Sequence, residues 1–376
     1  MKQELALRLL GKLMEWDLPK ANEEFKWLRL LVDYKYDHYQ GYSPGARFLI
    51  NLINWLKQFP NIGDRNIAYR FVRERLIFIS QREMQHLVSL TMPCFETEAR
   101  RLVATELNLK FYDTWANSLA ERRMHLLKLR TLYVALSDGA HIDVFRRENE
   151  GAVSNEQVVP LAEISQSKWN SLAEKLRNRL IFEGFSDASP LFERVCLIDD
   201  FTGSGFTLVR FDNGAWDGKV PKFCKQCQDG ILEKYISKKC IVHIHHYLAS
   251  SKAKETIFQE LKSYGQVSDN FLFSTSFSYV LPPNIVVNDN AEQEFVSWIT
   301  GNYDDSIESE HTKENIWYGY KQCGLPLVLA HNTPNNSIAL LWAKSKDDSE
   351  SSAKMRPLFH RKERHVDHGK NNAKPI

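Results

Sequence analysis

The stretch Val195-Cys196-Leu197-Ile198-Asp199-Asp200-Phe201-Thr202-Gly203-Ser204-Gly205-Phe206-Thr207 decides the fold. Val195 to Ile198, four apolar residues in a row, read as a fully buried strand of a parallel sheet. Asp199 and Asp200 end that strand. The turn Thr202 to Thr207 then leads, by pattern, into a helix. In an open α/β sheet ligands sit outside the carboxyl ends of the strands, which places chemistry at this turn. A small-residue loop at a helix N-terminus offers backbone N–H groups to an anion, and the paired acids offer acceptors to ribose hydroxyls. These residue types suit a sugar phosphate.

Around this stretch, strands and helices alternate. Leu132 to Leu136 reads as a strand, followed by the loop Ser137-Asp138-Gly139-Ala140 and a helix through Arg147. Lys168 to Ile181 is a helix. Beyond the opening stretch come a strand over Cys240–Leu248, a helix over Ala253–Tyr264 and a strand over Phe271–Val280. A helix over Ala291–Thr300 follows, then a last strand pair, Leu325–Ala330 with Ile338–Trp342. Such alternation implies crossover connections and a largely parallel sheet flanked by helices. Residues 5 to 129 read as helical instead. Phe48, Leu49, Leu52, Ile53, Leu56 and Phe59 keep helical spacing, and Ile67 to Leu90 continues it with interleaved charges. Pro44-Gly45 and Pro60-Asn61 mark breaks. Trp16, Trp27, Tyr34, Tyr36, Tyr39 and Trp55 at this spacing read as core before they read as a stacking surface. The expected organisation is a helical region over 1–125, an α/β domain over 126–345 and a partly disordered C-terminal extension over 346–376.

Composition sets outer bounds. The 376 residues carry a formal net charge of only +2, so no global basic field argues for nucleic acid. No apolar run approaches the roughly 20 residues of a membrane span. Met1-Lys2-Gln3-Glu4 lacks the apolar core of a signal peptide, and six cysteines in so long a chain do not suggest a disulfide framework. A cytoplasmic protein is expected.

Several phosphate motifs fail on the residues of the central loop. No Lys follows the glycines, as a P-loop requires. Gly203 and Gly205 lack the third glycine of a dinucleotide fingerprint. Asp199 and Asp200 are adjacent, whereas an aspartyl-phosphate phosphatase separates its two aspartates by one residue. The loop resembles instead the phosphoribosyl pyrophosphate (PRPP) loop of type I phosphoribosyltransferases: an apolar strand, two acids, small residues, then Ser204, Gly205 and Thr207 in the final positions. That resemblance implies that Asp199 and Asp200 hold the ribose hydroxyls, directly or with Mg²⁺, and that Thr202, Gly203, Ser204, Gly205, Phe206 and Thr207 wrap the 5′-phosphate. Displacing pyrophosphate from ribose C1 builds positive charge on the sugar and negative charge on the leaving group. The chemistry therefore needs a second, upstream loop for the pyrophosphate. Ser137, Asp138, Gly139 and Ala140 meet that need, with Arg146 and Arg147 following on the helix. A glycine-containing turn ahead of a solvated basic helix face is the plainer reading of the same residues.

Longer phrases of the chain resemble a narrower group of phosphoribosyltransferase-like proteins linked to bacterial conflict and defence systems. The resemblance rests on Phe78-Ile79-Ser80, Leu136 to Ala140, Phe145-Arg146-Arg147, Ser154-Asn155-Glu156-Gln157, Trp216 with Gly218-Lys219, His331 to Asn336, and Pro357-Leu358-Phe359. It implies a fold and a ligand class, and a protein partner encoded in a defence system.

Three further features stay open between two readings. Gly151 to Pro160 is either a flap over the site, with Glu156 as acid/base or ligand of a metal-bound water, or a helix start capped by Ser154 and Gln157. His331 to Asn336 either reaches the acceptor base, through Asn332, or is a self-satisfied turn. Cys224 and Cys227, with Cys240, His243, His245 and His246 downstream, are zinc ligands or core residues. Two functions follow. One is an enzyme transferring or hydrolysing at ribose C1, as an antiphage effector. The other is a module that senses PRPP or a nucleotide without turnover.

Overall fold

A computed structural model describes residues 3–41, 47–160, 164–228, 232–308, 315–346 and 354–362. The chain groups into two compact units, Met1–Gln81 together with Asn284–Ile376, and Arg82–Pro283. This division differs from the boundaries at 125 and 345, which mark where helical periodicity gives way to strand periodicity.

In the Arg82–Pro283 unit, five strands form one sheet: β1 (Thr131–Ala135), β2 (Val158–Val159), β3 (Phe192–Thr202), β4 (Ile236–Ser250) and β5 (Phe271–Leu281). Their spatial order is β2-β1-β3-β4-β5, and every pairing is parallel. The apolar runs of β1 and β3 are buried throughout, as expected of strands covered on both faces. The covering helices include α1 (Ser118–Leu129), α2 (Ile142–Glu148), α3 (Gln166–Phe182), α4 (Lys219–Gln228) and α5 (Ser251–Gly265). Trp169, Leu172, Leu176 and Leu180 repeat at helical spacing and bury the inner face of α3 against Leu132, Val195 and Leu197. The chain leaves β1 toward β2 on one side and later returns through β3 toward β4 on the other. The order therefore reverses between β1 and β3, which makes their carboxyl ends the topological switch point of the sheet.

The other unit is mainly helical, with its own core. Phe48, Leu49, Leu52, Ile53 and Leu56 are all buried on the helix Arg47–Leu56. Asn61 caps the helix Ile62–Glu74 by accepting the Asp64 N–H at 2.7 Å. Met355, Leu358 and Phe359, from the expected C-terminal extension, are buried in the same core as Leu7, Trp55 and Trp298. Of the expected core aromatics, Tyr34 is exposed, while Trp16, Trp27, Tyr36, Tyr39 and Trp55 pack into this core. The break at Pro44-Gly45 and the tail after Val366 lie outside the described residues.

Three local expectations are corrected. Residues 77–79 form a strand inside the expected helical stretch, paired in parallel with Leu327–Leu329. Ile338–Trp342 is not that strand's partner, because Ala339–Trp342 is a helical turn; a short apolar run fits either state, and long-range pairing decides. No helix opens after Thr207. Strands Arg210–Asp212 and Ala215–Asp217 form an antiparallel hairpin there, and the helix waits until Lys219. Among the described residues, no helix is long and apolar enough to cross a membrane.

Candidate functional site

The loops after β1 and β3 meet at the switch point. Leu136 donates its N–H to the Ile198 carbonyl at 2.8 Å, which sets Leu136 level with Asp199. One residue on, the Ser137 hydroxyl donates to Asp199 Oδ1. Gly139 lies so close to Asp200 that a Cβ there would fall 2.8 Å from Oδ2. A side chain at 139 would have to push the Asp200 carboxylate aside. Ala140 is tied from below, its carbonyl accepting the buried Tyr247 hydroxyl at 2.7 Å. Asp138 is exposed at the turn, and His141, which closes it, is held in the left-handed region at φ 45°. A non-glycine residue in that region is a local strain of the kind found beside working sites.

Asp199 and Asp200 are 4% and 7% exposed. Burial alone would push the Asp199 carboxyl pKa up. The Lys219 ammonium, with Nζ 2.5 Å from Oδ2, the nearby His246 and the Ser137 hydroxyl outweigh it and hold the carboxyl below its usual range. Asp199 is therefore an anion at neutral pH. Asp200 Oδ1 accepts the Phe201 N–H at 2.8 Å, which folds its carboxylate back over the strand end. Lys219 reaches Asp199 because the hairpin brings it back. Its N–H donates to the Thr207 carbonyl at 3.1 Å, and Gly218 ahead of it packs directly on the Leu208 backbone. Lys219 carries no site signal of its own in the sequence; the Asn-Gly hairpin turn in Asp212-Asn213-Gly214 is the feature that returns it to the site.

The loop Thr202 to Thr207 is anchored. Ser250 Oγ donates to the Gly203 carbonyl at 2.6 Å while accepting the Ala253 N–H at the start of α5. Thr202, Gly203, Ser204 and Gly205 are buried, Phe206 half-buried, and Thr207 exposed. The Phe206 ring lies under the Arg210 guanidinium, 4.9 Å from its centroid. His246 sits in register with Asp199 on β4. Its burial, ahead of the opposing pull of Asp199, lowers its pKa to about 4 and keeps it neutral.

Three expected site residues, Arg146, Arg147 and Glu156, are not brought to this edge. Gln157 donates to the carbonyls of Lys128 at 2.7 Å and Thr131 at 2.8 Å, at the amino end of β1. Thr131 and Leu136 are five residues apart, so this segment lies about 16 Å along the strand from the acids at some 3.3 Å per residue. The segment 151–160 is therefore not a flap over them; Ser154 and Gln157 form the capping box instead. Glu156 is hydrogen-bonded by Ser154, with Lys175 at 3.6 Å, and its carboxyl is held below the usual range, unlike a general acid. Helix α2 runs back from the loop toward that same end and carries Arg146 and Arg147 with it, where they line one cleft with Glu156. Asn332 belongs to the other unit, where its Oδ1 accepts the N–H groups of Lys362 at 2.9 Å and Thr333 at 3.0 Å.

The cysteine question resolves toward the core. Cys224, Cys227 and Cys240 are buried together, and burial raises all three thiols, Cys224 to about 12. His243 and His245 are turned to serines of β5. No cluster of three or more metal-ligating side chains occurs among the described residues.

The arrangement offers two buried carboxylates, one lysine and two backbone loops at the switch point of a parallel sheet, the place where open α/β sheets hold ligands. No curated protein and no solved structure matches the chain. The family model described as PRTase-CE matches residues 52–361, which takes in both loops and nearly all of the chain beyond the first helices. The chain belongs to this PRTase-CE family and is a phosphoribosyltransferase-like protein.

Proposed function

We propose that the protein binds PRPP or a related ribosyl phosphate at the switch point and transfers or hydrolyses at ribose C1. The observation that carries this reading is the contact of the two loops: Ser137 on Asp199, and Gly139 against Asp200. In this reading Asp199 and Asp200 accept the ribose hydroxyls, Thr202 to Thr207 surround the 5′-phosphate, and Ser137 to Ala140 turn backbone donors to the pyrophosphate. Lys219 and Ser137 keep Asp199 ionised, so it meets the ribose hydroxyls as a carboxylate that accepts their hydrogen bonds. Breaking the C1–O bond develops positive charge on the sugar, which two buried carboxylates stabilise from fixed positions in a water-poor site. The donor set suits Mg²⁺, which takes one or two carboxylates together with substrate oxygens. Bound there, Mg²⁺ would offset the charge gathering on the departing pyrophosphate.

The resemblance to defence-linked phosphoribosyltransferase-like proteins supports a role as an antiphage effector, with a neighbour-encoded protein partner. The purified protein is to be incubated with PRPP, Mg²⁺ and a panel of bases while pyrophosphate release and calorimetric binding are followed. Turnover that falls at least a hundredfold in Asp200→Asn is the expected result. Tight binding without turnover would favour the sensor, and absence of both would overturn the ribosyl phosphate reading.

A further inference from the structure

Arg146, Arg147 and the residues that the sequence assigned to a flap gather elsewhere, in a cleft of about 1020 Å³ within the Arg82–Pro283 unit. It opens at the amino end of β1 and β3, between the end of α2, residues 150–157 and the second half of α3. Its volume suits one nucleotide-sized molecule rather than a duplex.

Charge is uneven there. Five lysine and arginine side chains line the cleft against two glutamates. Three of those cations are matched by acids beyond the lining: Lys128 by Glu96 at 2.5 Å, Arg147 by Asp143 at 2.7 Å, and Arg179 by Glu183 at 2.5 Å. Among the described residues, Lys175 has only Glu156 as an ion-pair partner, at 3.6 Å. The exposed Arg146 guanidinium has no ion pair or hydrogen bond among the described residues. One unmatched guanidinium and one loosely paired ammonium on facing helices are the donors a phosphate monoester needs. An aromatic platform accompanies them. Phe182, at the end of α3, is 81% exposed, with the Arg179 guanidinium 5.6 Å from its ring centroid. Water gains nothing from so bare a ring, whereas the π-face of a base would cover it. Beneath lie Leu172, Leu176 and Phe192 as an apolar floor.

We infer that this cleft is a second binding site, separate from the ribose C1 site, that takes a nucleotide with its phosphate on Arg146 and Lys175 and its base on Phe182. The nucleotide is either free or the 5′-phosphorylated end of a strand, since both carry the same two recognition elements. The inference stands whether or not the switch-point site binds PRPP.

Calorimetry on the full-length protein tests it, with the four nucleoside 5′-monophosphates, adenosine, inorganic phosphate and a 5′-phosphorylated hexanucleotide as probes. At least one phosphorylated probe should bind below millimolar Kd. The Arg146→Ala/Lys175→Ala double variant and Phe182→Ala should each weaken it tenfold or more, while Asp200→Asn leaves it within twofold. These side chains are exposed, so circular dichroism of the variants should match the parent. A free monophosphate binding as well as the hexanucleotide identifies a free nucleotide; a preference for the hexanucleotide identifies a strand end. No binding by any phosphorylated probe overturns the inference, as does binding that survives the cleft variants or is lost in Asp200→Asn.

Discussion

Gly218 shows how narrowly single residues set this site. It holds φ at 120°, and a Cβ there would meet the Leu208 carbonyl oxygen at 2.6 Å, a backbone atom that cannot swing aside. Gly218→Ala should therefore cost about 3 kcal/mol, combining left-handed strain with the displaced hairpin. Urea denaturation at pH 7 measures this, and a loss under about 0.5 kcal/mol would show that the hairpin gives way freely. Asp199 and Asp200 were legible from the sequence, because adjacent acids at the end of an apolar run carry their context with them. Lys219 was not, since its partner lies twenty positions away across a hairpin that returns it. Arg146, Arg147 and Glu156 were assigned to the same site from their order in the chain. Order carried no information about which end of the sheet a returning helix reaches.

Strands β4 and β5 share a buried ladder that periodicity could not reveal. Ser278 donates to the Leu87 carbonyl at 2.7 Å and so receives from His245 Nε2 at 3.0 Å. His245 Nδ1 then accepts from Ser276 at 2.8 Å, Ser276 receives from His243 Nε2 at 2.7 Å, and His243 Nδ1 accepts from Ser274 at 2.8 Å. One fixed carbonyl thus sets both rings as neutral Nε2–H tautomers. Burial, reinforced by Arg194, depresses the His243 pKa far below normal, and burial, with His246, lowers that of His245 to about 3. The unfolded chain takes up these protons below about pH 6.5 and the folded chain does not. The ladder's stability is therefore complete above that pH and is lost as pH falls, by about 1.4 kcal/mol per histidine per pH unit below about 6. Denaturation midpoints between pH 7 and 4.5 should show that slope, and nitrogen shifts of the two rings should stay those of the neutral tautomer. A flat profile would mean that the histidines titrate as freely folded as unfolded. The sequence did place His243 and His245 on one strand face. Only the opposing serines decide that the face is a hydrogen-bonded core and not a metal site.

At the scale of the molecule, the Arg82–Pro283 unit is continuous in sequence, while the other is assembled from both ends of the chain. A fragment spanning 82–283 should therefore melt cooperatively by itself, since among the described residues its core draws on none outside that range. A 1–81 fragment should not, because its helices bury Leu7, Trp55 and Phe71 against Trp298, Phe295 and Phe359. Calorimetric scans of the two fragments decide this, and a cooperative transition in 1–81 would contradict the shared core. The parallel sheet of the larger unit was readable from alternating apolar strands and helices. The composite unit was not, because no local pattern tells Ile77–Ile79 that its strand partner is Leu327–Leu329.

That pairing also orders events during translation. When residue 81 leaves the ribosome, its strand partner is still about 250 codons away. The sheet of residues 82–283 can close in the meantime, but the N-terminal helices must wait until Phe359 emerges. At about 5 to 20 residues per second, the last stretch from 284 to 359 takes roughly 4 to 15 seconds. Over that interval the nascent chain displays bare tryptophan and phenylalanine faces beside a finished neighbour, which makes the N-terminal segment a natural client for chaperones.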